Sequence, residues 1–228
     1  MSYTKAMFED QIVGPVLKIT SKTIEDNDYT EILNKIDITL DIRDGLKQLN
    51  PKIEELWNEL TSDVLASVYS ASSGFYRHAI LALRSVLELG CNTFYYLDHN
   101  IEYEMFIKYN TKADKYVSSL VNEYAFFTTK YISTFFPDID KIQVEQDSIS
   151  NYLKILYGDL SDIVHGRYNS LTKKQTLQIK YSKSEFKSYE RYLDRVLSIL
   201  CTMYVLRLNE KSNQSIVKQA KFSRTVKL

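Results

Sequence analysis

The stretch FYRHAILALRSVLELGCNTFYYL, from Phe75 to Leu97, decides the fold. Tyr76, Ile80, Leu83, Leu87, Cys91 and Phe94 recur at steps of three and four, the spacing of one helical face. Phe75, Ala82, Val86 and Leu89 cover the opposite side. A helix apolar nearly all round belongs at the centre of a bundle, because only neighbouring helices can shield both faces from water.

Periodic stretches surround this one. Upstream, Asn50 is placed to cap a helix with Pro51 at its first position, and Glu54 and Glu55 suit its positive end. Ile53, Trp57, Leu60, Val64, Val68 and Ala71 then make its stripe, and Gly74 is the expected break. Downstream, a third helix is expected after Asn100, with Phe106, Tyr109, Ala113, Tyr116, Leu120, Tyr124, Phe127 and Tyr131 on one face and Pro137 closing it. A fourth runs from about Gln146 to His165 along Ile149, Tyr152, Leu156, Leu160 and Ile163. A loop with a short strand at Leu177, Ile179 and Tyr181 leads to a fifth, from about Ser184 to Leu208.

The expected fold class is therefore all-α, an up-and-down bundle of four to five long helices spanning residues 50–208. A mixed extension, residues 1–49, packs on it, and a basic tail, residues 209–228, follows. Within the extension, Pro15 to Thr20 reads as a short strand and Asp28 to Leu40 as a short helix.

Composition agrees with long helices: six glycines and three prolines are too few for a turn-rich β protein. Lysine plus arginine balances aspartate plus glutamate, 29 against 29, so a nucleic-acid partner would have to meet a local patch. From Arg207 onward the basic residues outnumber the single Glu210, which reads as a solvated, mobile end or an RNA contact. No apolar run has the length of a signal peptide or a membrane span, so a cytoplasmic protein is expected. Cys91 and Cys201 sit in apolar helical surroundings and read as reduced core thiols; without clustered histidines they make no zinc site.

Three residues stand out against this background. Arg84 and Glu88 lie four apart on the most apolar helix and so share a face. A buried arginine needs a partner, and the pair is either a structural ion pair or a paired charge facing a cleft. His165 ends the fourth helix about opposite Leu156, on a polar face with Asn151, Lys154, Gly158 and Ser161, and Asp162 is placed to orient its imidazole. The plainer reading is a helix ending, since histidine in the last turn with glycine after it suits the macrodipole. There is no Gly-rich phosphate loop, no G-x-S-x-G and no H-E-x-x-H.

The segments Phe75 to Glu88 and Leu156 to Gly166 together resemble the HEPN superfamily, helical bundles found in bacterial toxin–antitoxin, abortive-infection and CRISPR systems. The likeness covers roughly residues 50–208 and is closest to branches where an Arg-x-x-x-Glu helix precedes a Val-His-Gly helix end. It implies a homodimer that cleaves RNA without metal or cofactor, or alternatively a non-catalytic sensing or protein-interaction module, with a partner protein from a defence or toxin–antitoxin system. Active members share an arginine four to six residues before a histidine. His165 matches the histidine, but Gly158, Asp159 and Leu160 occupy the arginine's places, and Tyr168 stands one place beyond the tyrosine of the toxin branch. The resemblance thus implies His165 in proton transfer and Arg84 or Arg167 on the phosphate, with Glu88 or Asp162 holding one of them. Lys154, Ser161 and Tyr168 would line the substrate face.

Overall fold

The computed structural model describes residues 4–109, 116–165 and 179–228, and among them there is no strand. The first helix, α1, runs from Lys5–Phe8 through a π turn at Glu9–Val13 into Gly14–Asp26. Then come α2 (Thr30–Leu49), α3 (Ile53–Ser72), α4 (Tyr76–Asp98) and α5 (Asn100–Tyr109). Three short helices follow, α6 (Val117–Glu123), α7 (Thr129–Ile132) and α8 (Ile139–Ile142). Two long ones, α9 (Ser148–His165) and α10 (Lys183–Leu208), precede α11 (Gln214–Lys221). None of these helices is long and apolar enough to cross a membrane.

The all-α expectation holds, and α4 is the central helix, packed against α3, α5, α6, α9 and α10. Its two apolar faces explain this: Ile80, Leu83, Leu87, Cys91 and Phe94 are buried on one side and Val86 on the other. The α3–α4 hairpin turns at Gly74, whose φ of +82° is the left-handed value that glycine adopts without strain. Phe75 N–H bonds the Ser70 carbonyl across it, completing a Schellman ending. At its other end α3 starts at Ile53, two residues later than the expected Asn50 cap with Pro51 at the first position: Asn50 Oδ1 accepts from Lys52 N–H at 3.1 Å inside a turn, and no side chain caps the helix.

Four further readings need correction. Pro15 to Thr20 is helical, inside α1, although β-branched residues there favour a strand. The short helix expected from Asp28 is the full bundle helix α2, which buries Ile32, Ile38, Ile42 and Leu46 in the common core. The long third helix is broken after α5. Ala125 and Phe127 take left-handed backbone values, which turn Phe126 and Phe127 into the core against Phe94 and Tyr131. Ile179 and Tyr181 lie in irregular backbone, and Leu177 falls outside the described residues.

The basic tail is folded and docked by its apolar residues, while Lys211, Lys218, Lys221, Arg224 and Lys227 stay exposed. Asn213 caps α11, whose Ile216, Val217 and Ala220 are buried against α10. The last residues then run antiparallel to Gln143, with Val144 N–H on the Thr225 carbonyl and Ser148 Oγ on the same oxygen. Val226 is 5% exposed. A Val226→Ala change should therefore cost about 1.5 kcal/mol in chemical denaturation, whereas a solvated end would show no loss.

Candidate functional site

The antiparallel helices α4 and α9 carry the polar residues singled out above. Arg84 Nη2 donates to Glu88 Oε1 at 3.1 Å and to the Tyr157 hydroxyl at 2.8 Å, and Tyr157 donates in turn to Glu88 Oε1 at 2.9 Å. The guanidinium also lies over the Tyr157 ring, 5.1 Å from its centroid. Arg84 and Glu88 side chains keep only 18% and 27% of their exposure, and Arg84 Nε is buried without a hydrogen-bond partner. Burial opposes the arginine's charge, but the bond to Tyr157 and the field of Glu88 outweigh it and raise its pKa. Burial also raises the Tyr157 phenol; the bond from Arg84 works against this and the bond to Glu88 adds to it, so Tyr157 stays protonated.

This three-way cluster joins α4 to α9, and its charges are turned on each other. Glu88→Ala removes two bonds to a charged acceptor and should cost about 2 kcal/mol, less than a sealed pair because water reaches both groups. Arg84→Met combined with Glu88→Leu should recover most of that loss. Denaturant midpoints of the three chains measure both. A double variant no more stable than Glu88→Ala would show that the pair does more than fill the seam.

Tyr157 has no counterpart among the residues singled out from sequence. It lies one turn before Ser161, and only the docking of α9 on α4 brings it to Arg84. Arg195 is a second such residue. From α10 it pairs with Asp159 of α9 at 2.8 Å, and its guanidinium lies over the rings of Tyr152 and Tyr192, 5.9 and 5.5 Å from their centroids.

His165 is exposed at the end of α9, apart from the Arg84 cluster. Arg77, near the start of α4, donates from Nη2 to the Val164 carbonyl at 2.7 Å. Arg84 meets α9 at residue 157 and Arg77 meets it at residue 164, so two helical turns, roughly 10 Å, separate these levels. Helices α4 and α9 thus pack side by side, yet Arg84 and Glu88 are not brought to His165. What reaches this end of α9 is Arg77, bonded to the residue before His165; it is overlooked in sequence because it sits at the exposed start of its helix and belongs to no stripe.

The remaining candidates divide. Lys154 and Gly158 are exposed on α9, and a side chain added at Gly158 would meet open space. Asp162 is half-buried. Ser161 is half-buried too, but its hydroxyl is shut away from solvent without a hydrogen-bond partner among the described residues. Arg167 and Tyr168 lie outside the described residues. His78 is exposed with its ring edge-on to Phe75, and His99 stacks on Tyr95 at 3.9 Å. Cys91 and Cys201 are buried free thiols, and burial raises the pKa of both, which keeps them unreactive.

The end of the bundle that carries His165 is built from three helix ends. Tyr76 Oη bonds both the carbonyl and the N–H of Ser182, at 3.1 and 3.0 Å. Arg77, its neighbour, holds Val164. The start of α4, the end of α9 and the start of α10 therefore meet at one level. Compared with protein-family models, curated proteins and solved structures, the chain matches none of them.

Proposed function

We propose that the chain is an HEPN-like protein of a bacterial or phage conflict system, acting in the cytoplasm as a homodimer that cleaves RNA without a metal. The observation that supports this most is the Arg77–Val164 bond, which sets a guanidinium at the helix end that carries His165, on the carbonyl of the preceding residue. It supplies from α4 the cation that Gly158, Asp159 and Leu160 do not supply from α9. One N–H of Arg77 holds Val164, and an arginine carries five, so donors remain for a phosphate. In this reading His165 moves the proton, Arg77 balances phosphate charge, and Arg84, Glu88 and Tyr157 hold α4 and α9 in register.

The second reading is a non-catalytic HEPN-like module that binds a partner protein of the same system. The Arg84–Glu88–Tyr157 cluster favours it, since these charges face each other and Tyr157, two turns away from His165. Purified protein, His165→Ala and Arg77→Ala assayed on RNA in EDTA, with toxicity on expression as a second readout, separate the two. Cleavage lost in the variants supports the nuclease. Three folded, equally inert proteins would leave the interaction module.

A further inference from the structure

The end of the bundle opposite His165 holds a second polar cluster, which neither reading of the function uses. Asp98, the last residue of α4, accepts from Arg207 Nε of α10 at 2.6 Å and, on its other oxygen, from the Tyr131 hydroxyl. Burial, and then the bond to Asp98, raise the Tyr131 phenol, which therefore stays the donor. The Arg207 guanidinium lies over the Phe135 ring, 5.2 Å from its centroid. A carboxylate thus holds one edge of this arginine and an aromatic ring one face. Its other two nitrogens, Nη1 and Nη2, take no hydrogen bond among the described residues, yet they reach solvent. Arg207 lines a depression of about 490 Å³ with Leu49, Asn50, Leu97, Asn100 and Leu208. Small-ligand sites have this size.

We propose that this depression binds a small monocarboxylate with an aliphatic body. The terminal edge of a guanidinium meets a carboxylate with two parallel bonds. Here Asp98 and Phe135 fix that edge in advance, so little freedom is lost when the ligand arrives. Leu49, Leu97 and Leu208 supply apolar wall. Asn50 Nδ2 and the Asn100 amide, neither hydrogen-bonded among the described residues, add donors. Charge selects the class of ligand. Asp98 already balances Arg207, and α2, α4 and α10 end here at Leu49, Asp98 and Leu208, each with the partial negative charge of a helix C-terminus. Only the start of α5, at Asn100, opposes them. A doubly charged phosphate is therefore disfavoured. A single carboxylate keeps the arginine fork and lays its chain on the leucines.

The proposal does not rest on the ribonuclease reading: Asp98 and Arg77 stand at opposite ends of α4, roughly 30 Å apart along it. Hexanoate titrated into the isotope-labelled full chain should give saturable NMR shifts at Arg207 Nε and Asn100, with a Kd of about 1 mM. Acetate, which lacks the aliphatic chain, should bind about tenfold more weakly, and inorganic phosphate should not displace hexanoate. Leu49→Asp, at a position 56% exposed, should weaken hexanoate by about tenfold and leave the helical circular dichroism unchanged. Arg207→Lys keeps the charge beside Asp98 but loses the fork, and should weaken it by about tenfold too. No saturation up to about 50 mM, or saturation untouched by both variants, would overturn the site. Displacement by phosphate, or acetate as tight as hexanoate, would overturn the class of ligand. A chain that cleaves RNA but ignores hexanoate defeats this proposal alone, and one that binds hexanoate but is inert toward RNA defeats the nuclease alone.

Discussion

Trp57→Ala should destabilise the fold by about 3–5 kcal/mol, the cost of emptying the largest fully buried side chain. At this chain length each kcal/mol lowers Tm by roughly 2–4 °C, so a fall of roughly 10 °C is expected. Two effects add. The ring packs edge-on to Phe94 of α4 with centroids 5.9 Å apart, and its removal leaves a cavity where α2, α3 and α4 meet. The indole N–H also donates to the Thr39 carbonyl of α2 at 2.8 Å. Trp57→Phe isolates that second part: it keeps most of the ring, loses the donor, and should cost about 1–1.5 kcal/mol. Trp57 is the only tryptophan, so unfolding must be followed by circular dichroism. A loss under about 1 kcal/mol for the alanine variant would mean that α2 is not docked as described.

The Trp57–Thr39 bond also shows why α2 was hard to read in the sequence. The inner face of α2 includes two polar residues, Lys35 and Thr39, both buried. Lys35 Nζ reaches Asp194 of α10 at 3.3 Å, and Thr39 Oγ1 bonds the Ile36 carbonyl. Each is acceptable only because a distant element or the helix's own backbone satisfies it, which no local pattern records. Meanwhile Ile36, Ile38, Leu40 and Ile42 alternate with polar residues and imitate a strand. Helix α4 posed less difficulty, since its buried positions from Ala79 to Cys91 are all apolar or glycine, and the polar Asn92 and Thr93 come only after them.

The third stretch failed for the opposite reason. Its aromatics keep a helical spacing by coincidence across the left-handed residues Ala125 and Phe127, where the chain turns to bury Phe126 and Phe127 at 0% exposure. Neither residue is a glycine or an asparagine, so nothing in the letters signals φ above zero. The burial of two phenylalanines outweighs about 1–2 kcal/mol of backbone strain at each site.

The candidate residues were legible one by one, but their grouping was not. Arg84 and Glu88 follow from spacing and burial. Tyr157 and Arg77 enter only through the register of α4 on α9, which sets residue 84 against 157 and residue 77 against 164. A single sequence holds each helix's periodicity but not the offset between two helices.

That offset gives the sharpest prediction about activity. If the α9 end is a metal-free nuclease site, His165→Ala should lower RNA cleavage by about 10²–10⁴-fold in EDTA, the usual worth of a positioned proton-transfer group. Arg77→Ala should lose roughly 10²-fold, and Arg77→Lys should regain part of it, since the charge returns without the forked geometry. Arg84→Met with Glu88→Leu stands two turns away and should leave the cleavage rate within a few fold, because its charges face each other and Tyr157. The pattern distinguishes a site from a general weakening of the fold. A stability effect would rank Glu88→Ala above the exposed His165→Ala, whereas chemistry at the α9 end reverses that order. Loss of cleavage in the Arg84–Glu88 variant with its melting intact would instead mean that the site spans both levels of the α4–α9 seam.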